Sequence, residues 1–203
     1  MEREDWNTWH YQSLKDPGEA LGRMVADFQV NLPVKNFLGD LLSQKKDSGW
    51  MLDLGSSPFS FTYIPDGQKV ISVDWTRYAL QGESNVLADV TRLSFPADLF
   101  PVVFSKQVYR YLDNPDLLLE EMARVLKPGG LFILIDGEYI GSLNGRNVED
   151  DKLSQKLKLK PQEVAQKLAS RGITGLETRR LFSLTTSVSE VALTAVYGRK
   201  VSR

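Results

Sequence analysis

The chain of 203 residues contains no cysteine and a single histidine, His10. Without thiols it forms neither a disulfide nor a cysteine-ligated zinc or iron–sulfur site, and one imidazole is too few for a histidine-based metal centre. Long apolar runs are also missing, since no stretch approaches the roughly 18 apolar residues of a membrane span. The acidic start, MEREDWNTWHYQSLKDPGE, has no signal-peptide core. We therefore expect no metal site, no membrane association and a cytoplasmic location.

An excess of positive charge is missing as well. The formal net charge is −1 and the pI is about 5.9. Because no whole-molecule positive field attracts phosphate backbones, we expect no nucleic-acid partner. With 42% hydrophobic and 25% charged residues, the composition suits a globular protein with a large core. The sequence thus predicts one domain over residues 1–203.

The N-terminal region has apolar residues at helical spacing, which predicts two or three helices between Trp6 and Lys46. Pro17 and Pro33 each stand where first-turn prolines occur, with Asp16 as a cap for the earlier helix. The polar stretch KKDSG closes this region. We expect residues 1–48 to form a helical cap and residues 49–203 to form the core.

After residue 48 the pattern changes to short apolar runs separated by turns and helical segments. Two of these runs, 176–184 and 190–198, are joined by a short Thr/Ser-rich turn, which predicts an antiparallel hairpin. The segments 114–130 and 160–172 have a proline near the start and a glycine at the stop, as helices do. Strands alternating with helices predict a mostly parallel α/β sheet. The runs that predict its buried parallel strands are WMLDL (50–54), KVISVD (69–74), NVLAD (85–89), VVFSK (102–106) and LFILID (131–136).

The stretch GWMLDLGSSPFSF, residues 49–61, leads from the first of these strands into a turn. In open parallel sheets, ligands bind beyond the carboxyl ends of the strands. Gly55 permits a tight backbone path there, and Ser57 keeps the loop small. Asp53 is an acceptor-only group, which suits an ammonium or a hydroxyl better than a phosphate. The lysine followed by Ser or Thr that a P-loop requires is absent.

Two further carboxylates end the next two predicted strands. Asp74 is placed to accept both hydroxyls of a ribose. Trp75 offers a flat face to a base, or simply packs against the sheet. Asp89 is placed to accept from an exocyclic amine, or serves as a turn acceptor. Three acidic residues that end successive strands favour an adenosine with a positively charged, amine-bearing tail.

Four stretches, LDLGSSPFSF, VISVDW, NVLADVTRLSFP and NPDLLLEEMARVLKPGGLFILI, resemble successive motifs of the class I S-adenosylmethionine-dependent methyltransferases. The resemblance is to the broad small-molecule, type 11-like group, and ARVLKPGG is its most specific part. It covers residues 50–135 and extends to the closing hairpin. It implies a Rossmann-like, doubly wound, mostly parallel seven-stranded sheet with a C-terminal antiparallel hairpin and an N-terminal helical cap. It also implies S-adenosyl-L-methionine as cofactor and a small molecule as methyl acceptor.

The resemblance carries roles to individual positions. It places Asp53 and Gly55 near the methionine part of the cofactor, Asp74 on the ribose, and Trp75 against the adenine. Residues that follow the fourth strand face the substrate in this family, and no catalytic residue is assigned among the candidates Lys106, Tyr109, Tyr111 and His10. The predicted cofactor-binding set is Asp53, Gly55, Ser57, Asp74, Trp75, Asp89, Val90 and Lys106.

An alternative from another class stays open. Ser57 and Phe59 occupy places where the family usually has glycine, which favours a catalytically silent relative that keeps the fold as a binding or scaffold module. A nicotinamide oxidoreductase is a weaker alternative, because only Gly55 of its three fingerprint glycines is present. An RNA methyltransferase is disfavoured by the acidic balance of the chain.

Overall fold

The computed structural model describes residues 17–43, 49–56, 60–77, 80, 84–142, 159–185 and 189–202. The chain falls into two compact units. The first comprises Met1–Gln44 and Phe59–Pro65, and the second comprises Lys45–Pro58 and Asp66–Arg203. The predicted division into a cap of residues 1–48 and a core of residues 49–203 stays a prediction.

The first unit contains one long helix, α1, Pro17–Ser43, and a 3-10 turn at Ser60–Thr62. Pro17 is its first residue, where a missing N–H costs nothing. The prediction that Pro33 lies in the first turn of a helix is wrong, because Pro33 lies inside the continuous helix. The predicted number of helices between Trp6 and Lys46 stays a prediction. A buried face that includes Val34, Phe37 and Leu38 follows that proline directly and offsets the backbone hydrogen bond it removes. The predicted cap Asp16 lies outside the described residues.

The second unit is built on a seven-stranded sheet with the strand order β3-β2-β1-β4-β5-β7-β6. Strands β1 to β5 pair in parallel, and β7 pairs antiparallel with both β5 and β6. This arrangement confirms the predicted mostly parallel sheet with a C-terminal antiparallel hairpin. The strands are β1 Met51–Leu54, β2 Val70–Asp74, β3 Asn85–Leu87, β4 Phe100–Lys106, β5 Leu126–Ser142, β6 Ile173–Thr185 and β7 Ser189–Lys200.

In the part of the second unit that the structure describes, two α-helices accompany this sheet, α2, Asp116–Val125, and α3, Pro161–Ala169. α2 ends at Val125, before the end of the predicted helical segment 114–130, because Leu126 already pairs with Phe100 of β4. The end of α2 is closed by Lys200, whose Nζ donates to the carbonyl oxygens of Ala123 at 2.7 Å and Leu126 at 2.8 Å. A cation is well placed at a helix C-terminus, where carbonyl groups lack intrahelical partners.

The connections on the β3 side of the sheet differ from the regular strand–helix alternation that the sequence predicted. Among the described residues that join β1 to β2 and β2 to β3, there is no α-helix. The second of these connections spans only residues 75–84, too few for a regular crossover helix. The described residues that directly follow β1 and β2 therefore lie outside any α-helix.

The central strands bury side chains on both faces. Leu52, Val103 and Phe132 align across β1, β4 and β5 and belong to the core cluster that includes α2. The next row, which includes Phe104 and Ile133, faces the other way, and both side chains are fully buried. Such a sheet has few positions for polar groups, so buried carboxylates in it require an explanation.

Candidate functional site

The turn after β1 is fastened to the neighbouring strand by two backbone hydrogen bonds. The amides of Gly55 and Ser56 both donate to the carbonyl oxygen of Val73 in β2, at 2.8 and 3.1 Å. Gly55 has a φ of +74°, and a Cβ added there would overlap Cγ2 of Val108. Glycine is therefore required both by the left-handed backbone and by the close approach of the segment that follows β4.

Asp53 lies within β1, two residues before this turn. Its side chain is fully buried, and its cross-strand neighbours are Ser72 of β2 and Phe104 of β4. The adjacent strand end is also polar, since Ser105 Oγ donates to the carbonyl oxygen of Leu54 at 3.0 Å. Carboxylates are seldom buried without function or partners, which keeps Asp53 in the candidate set.

Asp74 is the last residue of β2 and is only 6% exposed. Burial raises the pKa of its carboxyl to about 6, although hydrogen bonds from Thr76 and the Trp75 backbone act in the opposite direction. The amide of Thr76 donates to Oδ1 at 2.7 Å and holds the side chain at the strand end. Trp75 follows and is partly buried. The carboxyl of Asp74 is thus a buried hydrogen-bond acceptor in a fixed orientation. It lies directly beside Val73, whose carbonyl oxygen anchors the glycine turn.

Asp89 comes two residues after β3 ends, rather than at the strand end as the sequence predicted. Its Oδ1 accepts from the Thr91 amide at 2.9 Å and from Thr91 Oγ1 at 2.7 Å, which is the turn-acceptor role left open above. The side chain is exposed, whereas Val90 is buried. The amide of Ala88 donates to the carbonyl oxygen of Asp74 at 2.9 Å, so the backbone brings the Asp89 turn to the same edge as Asp74.

The segment between β3 and β4 is held by a pair of side chains on α2. Glu121 Oε2 accepts from the Leu93 amide at 2.6 Å. Arg124 donates to the carbonyl oxygens of Leu93 at 3.1 Å and Phe95 at 2.8 Å, and to both oxygens of Glu121. This network, which we call the α2 clamp, is made by Glu121 and Arg124 of the motif EEMARVLKPGG. It explains physically why that motif accompanies a carboxyl-edge site.

The residues after β4 include three of the proposed acceptor-facing candidates. Lys106 donates from Nζ to Oε1 of Gln107 at 2.7 Å, and Gln107 itself has a φ of +59°. A non-glycine residue in the left-handed region stores backbone strain of the kind that clusters at functional sites. Tyr109 is buried, and burial raises the pKa of its phenol, while Tyr111 is 55% exposed.

Sequence reasoning missed one polar pair at this edge. Asp136 follows the buried run of β5, is fully buried, and accepts from Arg110 Nε at 2.7 Å. An aspartate that ends an apolar strand was the signal used for Asp53 and Asp74, and the same signal applies to Asp136 in LFILID. Arg110, which lies 26 positions away, carried no local signal.

Other predicted site residues fall outside the described part of the chain, namely His10, Ser57 and Phe59. Within the described residues, no group of three or more His, Cys, Asp or Glu side chains is arranged to hold a metal ion. No described helix combines the length and apolarity that crossing a membrane requires.

A seven-stranded sheet in this order, with a glycine turn after β1 and an acidic residue at the end of β2, is the architecture of the class I methyltransferase fold. Consistent with this, a family model described as a methyltransferase domain matches residues 52–134. Residues 52–134, less than half of the chain, are therefore similar to a methyltransferase domain, and the fold is that of class I S-adenosylmethionine-dependent methyltransferases.

Two curated proteins that are similar to this chain are also methyltransferases. A sterol 4-C-methyltransferase of Caenorhabditis elegans is 30% identical over 92 residues, which are 43% of this chain and 28% of the relative. An uncharacterized methyltransferase of Schizosaccharomyces pombe is 31% identical over 139 residues, covering 57% of this chain and 50% of the relative. The chain therefore spans half or less of the length of these curated relatives.

A solved structure shows the same fold. The phosphoethanolamine N-methyltransferase 2 of Haemonchus contortus, in complex with S-adenosyl-L-methionine, has a TM-score of 0.64 to this chain. The match covers 83% of this chain and 52% of the other, at 13% sequence identity. At that identity, the likeness concerns the fold alone.

Proposed function

We propose that this protein is an S-adenosyl-L-methionine-dependent methyltransferase that transfers a methyl group to a small molecule. The observation that carries the proposal is the buried carboxyl of Asp74 beside the Gly55 turn at the carboxyl edge of the sheet. The family model over residues 52–134 supports the same reading. A small acceptor suits a chain with a net charge of −1, which lacks the positive field of nucleic-acid enzymes. The cytoplasmic location stays a prediction.

The residues at the edge fit the chemistry of the cofactor. Asp74 is an acceptor-only group, as the two hydroxyls of a ribose require, and its desolvation strengthens such hydrogen bonds. Gly55 and the amides of its turn lie where the methionine part is expected, with Asp53 as the candidate partner of its ammonium. Trp75 and Val90 supply apolar surface for the adenine, and Asp89 lies at its edge. Ser57 and Lys106 complete the proposed set.

When bound, the cofactor would supply a sulfonium methyl group, and in-line attack on that methyl carbon by a nucleophile of the acceptor would release the thioether S-adenosylhomocysteine. The protein contributes by holding the two reactants at near-attack distance and by excluding water. The buried Tyr109 is a poor base, because burial raises the pKa of its phenol. We therefore propose that positioning at this edge contributes more to the rate than a dedicated base does, with Lys106, Tyr111 and His10 as the other candidates for proton removal.

The proposal is tested by calorimetric titration with S-adenosylhomocysteine at pH 8, where Asp74 is ionised. We expect saturable binding by the wild-type protein and an affinity at least roughly 10-fold weaker in Asp74→Asn, since hydrogen bonds to a charged group are each worth about 1.5–3 kcal/mol. Methyl transfer to a panel of small amines, hydroxyls and thiols is then measured with labelled cofactor.

A matched control is Asp113→Asn, which removes the same charge from an exposed position. This variant should bind S-adenosylhomocysteine as the wild type does. Folded wild-type protein that gives no heat with millimolar ligand would refute the proposal. Tight binding without turnover on any acceptor would instead favour the catalytically silent alternative.

A further inference from the structure

Arg110 and Asp136 form a buried ion pair at the carboxyl edge. The side chain of Arg110 is 13% exposed and that of Asp136 is 0% exposed. Besides Nε of Arg110 at 2.7 Å, the carboxylate accepts from the backbone amides of Arg110 at 3.3 Å and Gly137 at 2.6 Å. Three donors converge on Asp136, so the guanidinium is held in one orientation.

The pairing leaves most of the guanidinium without a protein partner. Asp136 takes the Nε hydrogen, while a guanidinium carries five N–H donors in a planar fork. Among the described residues, neither terminal nitrogen of Arg110 donates a hydrogen bond to the protein, and the ring of Tyr111 lies 5.9 Å from the guanidinium carbon. Arg110 is only partly buried, so its two terminal nitrogens remain accessible from solvent and are suited to an oxygen-bearing ligand that replaces water there.

The pair lies close to the proposed cofactor turn. Val108, two residues before Arg110, is the side chain that a Cβ at Gly55 would strike. The amide of Tyr111 donates to the carbonyl oxygen of Val108 at 2.9 Å, which folds Arg110 back into a 3-10 turn over this strand end. The Gln107 amide donates to the carbonyl oxygen of Ile135, the residue before Asp136, at 2.8 Å. Arg110 is thus presented on the β4 and β5 side of the edge, whereas Asp74 and Asp89 are on the β2 and β3 side.

The chemistry of a guanidinium decides what this position recognises. Its parallel N–H groups match the two oxygens of a carboxylate or of a phosphate monoester, and such bonds are about twice as strong as neutral ones. Lys106, the neighbouring cation, is engaged with Gln107 at 2.7 Å, so Arg110 is the better-placed group for a bidentate contact.

We propose that Arg110, oriented by Asp136, binds an anionic carboxylate or phosphate group on the methyl acceptor. The substrate class is then a small acid, such as an amino acid or a phosphorylated alcohol. This inference rests on the proposed methyltransferase function, since it assigns the acceptor side of the same site. An uncharged acceptor would leave the terminal nitrogens hydrogen-bonded to water and would gain no charge-assisted contact from them.

The experiment titrates the full chain with acetate, inorganic phosphate and methyl phosphate in low-chloride buffer, with and without saturating S-adenosylhomocysteine. Binding is followed through the arginine Nε–H signals in ¹H–¹⁵N spectra, with the Arg110 signal assigned by its loss in Arg110→Lys. We expect saturable binding of at least one anion at millimolar concentration with a shift of the Arg110 signal. The tighter anion distinguishes a carboxylate acceptor from a phosphate acceptor.

Two substitutions and one matched control complete the test. Arg110→Gln should weaken anion binding at least 10-fold, and Arg110→Lys less, because lysine keeps the charge and loses the fork. Both variants should leave the affinity for S-adenosylhomocysteine within about 3-fold of the wild type. A variant that loses affinity for both the anion and S-adenosylhomocysteine would point to a merely structural role of Arg110. The control is Arg180→Gln, which removes an arginine that also donates Nε to a carboxylate, that of Glu138, at 3.3 Å, on the antiparallel hairpin. Its anion affinity should equal that of the wild type.

The inference is overturned if no anion binds the folded wild type saturably, or if Arg110→Gln binds the anions as the wild type does. It is also overturned if the Arg110 signal does not shift while binding occurs. Should Arg110→Gln fail to fold, two measurements still test the inference. They are the shift of the Arg110 signal in the wild type and the anion affinity of Arg110→Lys. Absence of S-adenosylhomocysteine binding would refute the proposed function separately, because the titration without that ligand reports on Arg110 alone.

Discussion

Asp74 is a buried carboxylate, and its burial disfavours the charged form. Its raised pKa, about 6 against 3.8, means that the folded protein holds the proton more tightly than the unfolded chain. Folding is therefore disfavoured by this group above pH 6, and stability is recovered as the pH falls from 6 toward 4. The full effect is at most roughly 3 kcal/mol, from about 1.4 kcal/mol per unit of pKa.

This predicts that Asp74→Asn unfolds at higher urea concentration than the wild type at pH 8. The gain in the free energy of unfolding should be smaller by roughly 1 kcal/mol at pH 5 than at pH 8. The reason is that protonation of Asp74 in the wild type then removes part of the cost of burying its charge. Urea unfolding at both pH values measures it, with Asp113→Asn as the exposed control. An equal gain at pH 8 and pH 5 would contradict the raised pKa. The substitution that stabilises the free protein is also the one expected to weaken cofactor binding, which is typical of functional sites.

Gly55 makes a second prediction at the residue scale. Gly55→Ala combines a left-handed backbone, costing about 1–2 kcal/mol, with overlap on Val108, costing about 1–3 kcal/mol. Adding Val108→Ala should relieve the overlap and leave the backbone strain. In denaturant unfolding, we expect the double variant to be more stable than the sum of the two single changes predicts. Strict additivity would show that the two side chains do not meet.

Individual residues differ in how well the sequence revealed them. Gly55 and Asp74 could be predicted because each ends an apolar strand, where ligands of parallel sheets bind. Arg110 could not, because its role depends on Asp136 and on a 3-10 turn that joins distant segments. The site roles of all these residues stay predictions, namely those of Asp53, Gly55, Ser57, Asp74, Trp75, Asp89, Val90 and Lys106.

At the scale of elements, the α2 clamp links a helix to the loop that carries Asp89 and Val90. Glu121 has a lowered pKa, chiefly because of its hydrogen bond with Arg124, so its contribution to stability is lost as the pH falls through that lowered value. Arg124→Met should cost roughly 1–3 kcal/mol, since it leaves the carbonyl oxygens of Leu93 and Phe95 without their donor.

Native-state hydrogen exchange tests the clamp directly. The Leu93 amide should lose protection in Arg124→Met more than the strand amides of β4 do. The matched control is Lys160→Met, which removes a cation from an exposed pair, Lys160 and Glu163, and should change stability by less than about 0.5 kcal/mol. Unchanged protection at Leu93 would show that the loop is held by other contacts.

Element boundaries show where sequence patterns stop being informative. The type of each strand was predictable from continuous apolar runs, but β5 begins at Leu126 and ends at Ser142, well beyond LFILID. The extension to Ser142 follows from pairing with β7, and the start at Leu126 follows from pairing with Phe100 of β4, which are tertiary contacts that local propensity does not encode. Pro33 is a further case in which a tertiary contact decides. The sequence pattern places Pro33 in a first turn, whereas the buried face of α1 explains a proline within the helix.

At the scale of the whole molecule, the resemblance implied a mostly parallel seven-stranded sheet with a C-terminal antiparallel hairpin, and both features are confirmed. The same scale gives a prediction by mass action. S-adenosylhomocysteine at 100 times its dissociation constant should stabilise the protein by about 2.7 kcal/mol, provided that it binds only the folded state. Denaturant unfolding with and without the ligand measures this, and adenosine at the same concentration tests how much the amino-acid tail contributes.

The ribose contact of Asp74 is the central claim, and a ligand-variant cycle tests it most directly. S-adenosylhomocysteine and its 2′,3′-dideoxy analogue are titrated at pH 8 into the wild type and into Asp74→Asn. We predict that the wild type prefers the ribose ligand by roughly 10- to 100-fold, as hydrogen bonds to a charged group imply, and that Asp74→Asn loses most of this preference. If both proteins show the same preference, the carboxylate at the end of β2 does not hold the ribose and the account of the site is wrong.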